Sequence, residues 1–399
     1  MVIVGIIHSV LLARYLGPAL KGHISYIQSI LSIGSIVLTM GVHHAYVFYR
    51  KNRGDDFISF FMNSVICFLI CIQLLCFISA VLLHKDFFNF SVALSLMPLW
   101  AYTRISGTVF CVEAPNKRNA TILALNIAEI VFLFLLFVFT KTNFALGVIA
   151  VTFVEIIQSI FFTYFIKFSF STKFIDFKML FGLLGYGFLP MISILLSTLN
   201  YRIDILMLKS AETVDLSQIG IYSIGIMLAE KALLIPDATK EILLSKLTKG
   251  KSSSEVSFVS RVSFFVCFFV AIFMVIVGKP FINIMYGSDY SNAYMVTAIS
   301  VFGTIFMVFV KMICQYNIVN NKQITNVYLL SISIVTNIIF NILLIPSYGI
   351  IGASIATVCG HLVSSIAFVI SFSSNTGTPI KDIVFLNKND INVFRNFIH

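Results

Sequence analysis

Eight ionisable side chains of this sequence sit inside long apolar runs: Arg104, Glu129, Glu155, Arg202, Asp204, Glu230, Lys231 and Lys311. At the centre of a bilayer each would cost at least about 2.5–3.5 kcal/mol, so such a residue faces a cavity or a partner and marks a candidate site. Arg104 and Lys311 stand at near-equivalent places ahead of two matching loop dipeptides, Asn116-Lys117 and Asn321-Lys322. Two symmetry-related cations facing one central cavity would suit a doubly charged anion such as pyrophosphate, the arginine as a fork and the lysine as a point charge. The competing reading is that each snorkels to an interface or pairs with a carboxylate. Arg202 and Asp204, two apart, point to different faces of a helix and do not pair within it; they fit a pathway role or an interfacial one. Glu230 and Lys231, close to Pro236, fit a gate contact or a cytoplasmic boundary. Glu129 and Glu155 have no cation nearby in sequence and are the candidates for carrying a proton, or else neutral hydrogen-bond partners of a neighbouring helix. His43, His44 and His361 are read as packed, hydrogen-bonded histidines.

The elements that must hold these groups are membrane helices. Hydrophobic residues make up 59% of the 399 positions and charged residues 11%, with mean hydropathy +0.98. A bilayer span takes roughly 20 apolar residues across a core of about 30 Å. Apolar runs against polar breaks predict spans at 2–16, 23–48, 57–83, 87–111, 120–139 and 144–166, then at 179–208, 218–236, 258–277, 295–314, 325–345 and 351–372. Many are rich in Val, Ile and Phe, but runs of this length are helices rather than strands. The first has only about 15 residues, roughly 22 Å of helix, which predicts a true start upstream of Met1. Pro98 and Pro190 inside spans predict kinks. The seven cysteines all fall within spans, with no C-x-x-C and no histidine at ligand spacing, so neither a metal site nor a cofactor is expected.

Loop charge gives an orientation. With the amino terminus inside, the inner loops and tail hold seventeen Lys and Arg, from Arg50, Lys51 and Arg53 through Lys240, Lys249, Lys251 and Arg261 to Lys381, Lys388 and Arg395. The outer loops hold six: Arg14, Lys21, Lys85, Lys141, Lys209 and Lys279. Positive charge concentrates on the cytoplasmic side, so both termini are expected there. The net charge of +10 is then a topology signal. It does not point to nucleic acid, which needs a basic solvated face.

A repeat runs through the chain at an offset of 205 residues: Gly147, Thr152 and Ser159 match Gly352, Thr357 and Ser364, as Asn116-Lys117 matches Asn321-Lys322. Gly22-x-x-Ser25-Tyr26 also resembles Gly220-x-Tyr222-Ser223. Duplicated bundles with a site near the midplane are a common carrier design. The expected fold is therefore an all-α polytopic membrane protein, with about 12 transmembrane helices in two pseudo-symmetric six-helix bundles around a central cavity. Residues 1–166 form the first bundle, 167–178 a cytoplasmic linker, 179–372 the second bundle and 373–399 a cytoplasmic tail.

Several short motifs resemble one family. They are Ala13-Arg14-Tyr15-Leu16-Gly17-Pro18, Asn200-Tyr201-Arg202-Ile203-Asp204 with Ile219-Gly220-Ile221-Tyr222-Ser223, Met285-Tyr286-Gly287 with Asp289-Tyr290, and Ile345-Pro346-Ser347-Tyr348-Gly349 leading to Gly352-Ala353 and Ala356-Thr357. In this order they resemble the multidrug/oligosaccharidyl-lipid/polysaccharide exporter superfamily, and most of all the Wzx-type O-antigen flippases. The resemblance implies an inner-membrane flippase, not an enzyme. Its cargo would be an undecaprenyl-pyrophosphate-linked oligosaccharide, moved from the cytoplasmic to the periplasmic leaflet by alternating access with ion coupling. Membrane lipids, a polysaccharide polymerase and chain-length machinery are the partners it allows. Arg104, Arg202 and Lys311 are compatible with a cationic cargo cavity; Glu129, Glu155, Asp204, Glu230 and Lys231 are the coupling or gating candidates. A lipid II flippase usually has two further spans, and the residues after 372 are too polar for another. A multidrug antiporter would want an acidic or aromatic cavity. A membrane polymerase would want a large outer loop with acidic groups, and none is present in the sequence.

Overall fold

The computed structural model describes residues 2–51, 53–54, 56–83, 88–248, 250, 253–387 and 390. Of the loop cations, Lys85, Lys249, Lys251, Lys388 and Arg395 lie outside these residues. The helices in chain order are α1 (Val2–Thr39), α2 (Val42–Arg50), α3 (Asp56–Leu83), α4 (Phe88–Glu113), α5 (Pro115–Phe139), α6 (Phe144–Ile166) and α7 (Phe177–Gly182). They continue with α8 (Leu184–Ser210), α9 (Leu216–Glu230), α10 (Leu234–Leu247), α11 (Ser253–Met285), α12 (Ala293–Val319), α13 (Gln323–Thr376) and α14 (Ile380–Val384). No strand occurs among the described residues.

Two of these helices are too long for one crossing. The 54 residues of α13 would span about 81 Å if straight, well over twice a bilayer core. Gly349 breaks it at φ 51°, ψ −128°, a conformation open to glycine alone. The Leu344 carbonyl lies where a side chain on Gly352 would start, so the chain doubles back on itself at Pro346–Gly349. Gly17, at φ 70°, breaks α1 just before Pro18. A 3₁₀ turn, Lys231–Leu233, joins α9 to α10 as one segment. Counted this way, the described residues give the twelve helical spans expected from the hydropathy pattern. The second is bent where Met40 and Gly41 both take positive φ.

Burial follows the bilayer. Leu74, Leu75 and Leu82 of α3, Phe134 and Phe139 of α5, and Phe273 and Ile276 of α11 are exposed. Large apolar side chains in such continuous outward faces suit lipid rather than water. The multi-pass membrane architecture is thus legible in where apolar residues sit as well as in how many there are.

The chain packs as two compact units, Met1–Thr198 and Leu199–His399, with the boundary inside α8. In unit 1, α4 is the central helix, in contact with α1, α3, α5 and α6. Its Ala93, Ala101, Val109 and Phe110 are fully buried. Arg50 grips Glu113 at its end with both carboxylate oxygens (2.7 and 3.3 Å), and the Tyr46 hydroxyl donates to the same carboxylate. In unit 2, α12 is central, in contact with α9, α10, α11 and α13. Arg261 at the start of α11 meets Asp390 through two bonds of 2.8 and 2.6 Å and donates to the Asp382 carbonyl, clasping the segment after α13. Burial raises the Asp390 carboxyl, but hydrogen bonds from Arg261 more than offset it and hold it below the ordinary carboxylate range.

Candidate functional site

The central helix of each unit carries one of the two candidate cations, Arg104 on α4 and Lys311 on α12. Their surroundings differ.

In unit 1, α4, α5 and α6 enclose an open groove of about 390 Å³, lined among others by Trp100, Thr103, Arg104, Arg118, Glu155 and Gln158. Thr103 fixes one wall by donating to the Glu155 carbonyl at 3.2 Å, and Phe162 stacks on Phe110 at 5.1 Å at another. Glu155 interacts electrostatically with Arg104, and so do His43 and His44, whose rings lie 4.0 Å apart. The indole N–H of Trp100, the one tryptophan of the chain, has no hydrogen-bond partner. Neither glutamate has a cation close to it along the chain. Packing supplies each with a basic neighbour from another helix: Arg104 for Glu155, and for Glu129 the His8 Nε2 at 2.9 Å.

In unit 2, Lys311 is held by Asp237 of α10 at 2.6 Å, and Lys240 meets the same carboxylate oxygen at 2.8 Å. Pairing with a carboxylate, one of the two alternatives for Lys311, is what is found. Arg202 faces Glu230 at 3.8 Å, a long ion pair, while Lys231 opens the 3₁₀ turn. Asp204 faces away from Arg202, as two-residue spacing on a helix requires, and is only 1% exposed. Its Oδ2 accepts from the Tyr222 hydroxyl (2.9 Å) and Thr357 (2.7 Å), and its Oδ1 from Asn341 Nδ2 (2.7 Å). Asn341 also donates to Asn337 Oδ1 at 2.8 Å. Asn341 Oδ1 and Asn337 Nδ2 are buried without partners. His361, also buried, has neither ring nitrogen bonded to a side chain and lies edge-on to Tyr201 at 5.8 Å.

The sequence signals missed here were available. Asn337 and Asn341 are four apart in an apolar span, which puts two amides on one helix face. Asp237 directly follows a proline, a position that opens a helix turn.

Residues 11–295 match the family model described as polysaccharide biosynthesis protein. The chain belongs to that family. It is 33% identical over 153 residues to an uncharacterized membrane protein of Methanocaldococcus jannaschii; the match spans 38% of this chain and 28% of that relative, well under two thirds of its length. Among solved structures the fold is similar to the lipid II flippase MurJ in an inward closed conformation, with TM-score 0.72 at 19% identity over 99% of this chain and 90% of that one. It is also similar to an inward-facing multidrug resistance MATE family transporter of the MOP superfamily, with TM-score 0.66 at 12% identity over 94% of each chain. A MOP superfamily transporter from Pyrococcus furiosus gives 0.60 at 12% identity, over 94% of this chain and 92% of that one. The fold is a two-unit, roughly twelve-helix membrane architecture similar to those proteins.

Proposed function

We propose that this member of the polysaccharide biosynthesis family is a flippase for a polyprenyl-diphosphate-linked oligosaccharide, with an undecaprenyl-linked O-antigen or similar repeat unit as its cargo. The observation that carries this reading is Arg104. A guanidinium lines an open groove inside an apolar bundle, beside a second arginine, a glutamine and a tryptophan. Arginine forks match phosphate oxygens in pairs, which makes the groove chemically suited to a diphosphate head. Trp100 in the groove lining adds an aromatic ring, the kind of surface a sugar ring packs on.

Asp204 is the coupling group in this reading. A proton on its carboxyl would remove acceptor capacity that Tyr222, Asn341 and Thr357 now use, and so alter the contacts that hold α8, α9 and both halves of α13. The excess of cations in alternate loops supports cytoplasmic termini and an inner-membrane location.

The test is made in a strain lacking the protein and fed labelled sugar precursors. Lipid-linked oligosaccharide is assayed by leaflet, with rescue by wild type and by Arg104→Ala. Complete units held on the cytoplasmic leaflet, released by wild type and not by a normally inserted Arg104→Ala, are the expected result. Units that reach the periplasmic leaflet unpolymerised would place the protein after translocation and refute the reading.

A further inference from the structure

We infer that Asp237 is a resident counter-ion that sets a charge threshold for cargo: it holds Lys240 and Lys311 against singly charged lipids and yields to a diphosphate. The inference rests on the diphosphate cargo proposed above and concerns unit 2 alone.

Both ammonium groups bind one oxygen of Asp237, Lys311 at 2.6 Å and Lys240 at 2.8 Å, although the lysines come from different helices. One carboxylate balances one of the two charges, so the fork keeps a net positive charge. Two other charges lie nearby: Glu230, which also acts on Lys311, is itself engaged by Arg202 at 3.8 Å. Asp237 sits just after the 3₁₀ turn Lys231–Leu233, where the continuous segment passes from α9 to α10. Two ammonium groups therefore converge on one anion, and the chain's own carboxylate occupies that place.

Accessibility gives the direction of exchange. The Asp237 side chain is 40% exposed and that of Lys311 16%. An anion coming from the open side reaches the carboxylate before the lysine it covers. A phosphodiester lipid has one negative charge and would replace Asp237 with no electrostatic gain, while leaving a carboxylate without its partners. A diphosphate has at least two charges and balances both lysines, which the carboxylate cannot do. Charge-assisted contacts of this kind are the strong ones, so the difference is large enough to discriminate. In a membrane made of singly charged and neutral lipids, such a threshold keeps bulk lipid out of a cationic site.

The experiment compares two lipids with the same acyl chains, dioleoylglycerol diphosphate and dioleoyl phosphatidylglycerol, binding to the purified full-length protein by native mass spectrometry and titration. Wild type is expected to prefer the diphosphate by about tenfold or more, the worth of roughly one charge-assisted contact. Asp237→Asn is expected to raise phosphatidylglycerol affinity until the preference shrinks to about threefold, and Asp237→Glu to restore it. Lys240→Ala and Lys311→Ala, which keep the carboxylate, should each weaken diphosphate binding by about fivefold, and they decide the matter if Asp237→Asn does not fold. An unchanged preference in folded Asp237→Asn, or lysine variants that bind the diphosphate normally, would overturn the threshold while leaving the flippase reading in place. A wild type with no preference for the diphosphate would overturn both.

Discussion

Unit 1 leaves the arginine of its central helix in an open groove of about 390 Å³, with Glu155 as its facing carboxylate. Unit 2 ties the lysine of its central helix to Asp237 at 2.6 Å and seals Asp204 among Tyr222, Asn341 and Thr357. It also clasps Arg261 to Asp390 through both carboxylate oxygens. A charge without a close partner in an apolar bundle is unstable unless water or a ligand reaches it, whereas a hydrogen-bonded buried charge fixes helix packing. The two central cations therefore differ in their surroundings: Arg104 borders an open groove, while Lys311 is held by a carboxylate.

The largest effect that would test this contrast is on stability. Asp204→Ala removes the acceptor that three buried donors share and should cost about 3 kcal/mol, read as a lower midpoint in thermal unfolding of the detergent-purified protein. Arg104→Ala should leave that midpoint nearly unchanged. Equal losses would erase the distinction between the units. Next comes transport. Arg104→Ala should slow cargo translocation by about 10- to 100-fold, the worth of a charged contact to phosphate, and Arg104→Lys should recover part of it. A variant with a full transport rate would show that the groove is not used.

Smaller effects sharpen the comparison. Glu155→Gln removes the carboxylate that competes for Arg104, so binding of a lipid diphosphate should tighten by about two- to fivefold. No change would mean that Arg104 does not share its charge. The weakest effect is the pH response of the clasp. The Asp390 carboxyl is held below its unfolded value of about 3.9, so its contribution is fully present above that pH and is lost as pH falls through the lowered native value. Protease cleavage between α14 and Asp390 should accordingly be slow at pH 5–7 and rise only below about pH 4. Arg261→Ala should show the fast cleavage already at neutral pH.

Much of the architecture could be read from residue order. The twelve spans are visible because hydropathy is a property of each stretch by itself, and even the two broken helices, α1 and α13, betray their breaks as Gly17-Pro18 and Pro346-x-x-Gly349. Arg104 stood out for the same reason: one cation in an apolar run is conspicuous without any fold. The bend at Met40-Gly41 was less visible, because its cause lies elsewhere. The backbone of Gly41 touches that of Gly187, and neither position has room for a Cβ.

Partnership was the part that order could not supply. Lys311 finds Asp237 from 74 positions away, Asp204 finds Thr357 from 153, and Glu129 finds His8 on another helix. A carboxylate's environment depends on which helix faces it and at what rotation, and that is set by packing of side chains along whole helices. The sequence by itself determined a membrane chain of about twelve helices with charges in costly places, since partition into a bilayer is decided residue by residue. Only the tertiary structure decided which of those charges stay open and which are neutralised, since that depends on distances of a few ångströms across helices far apart in the chain.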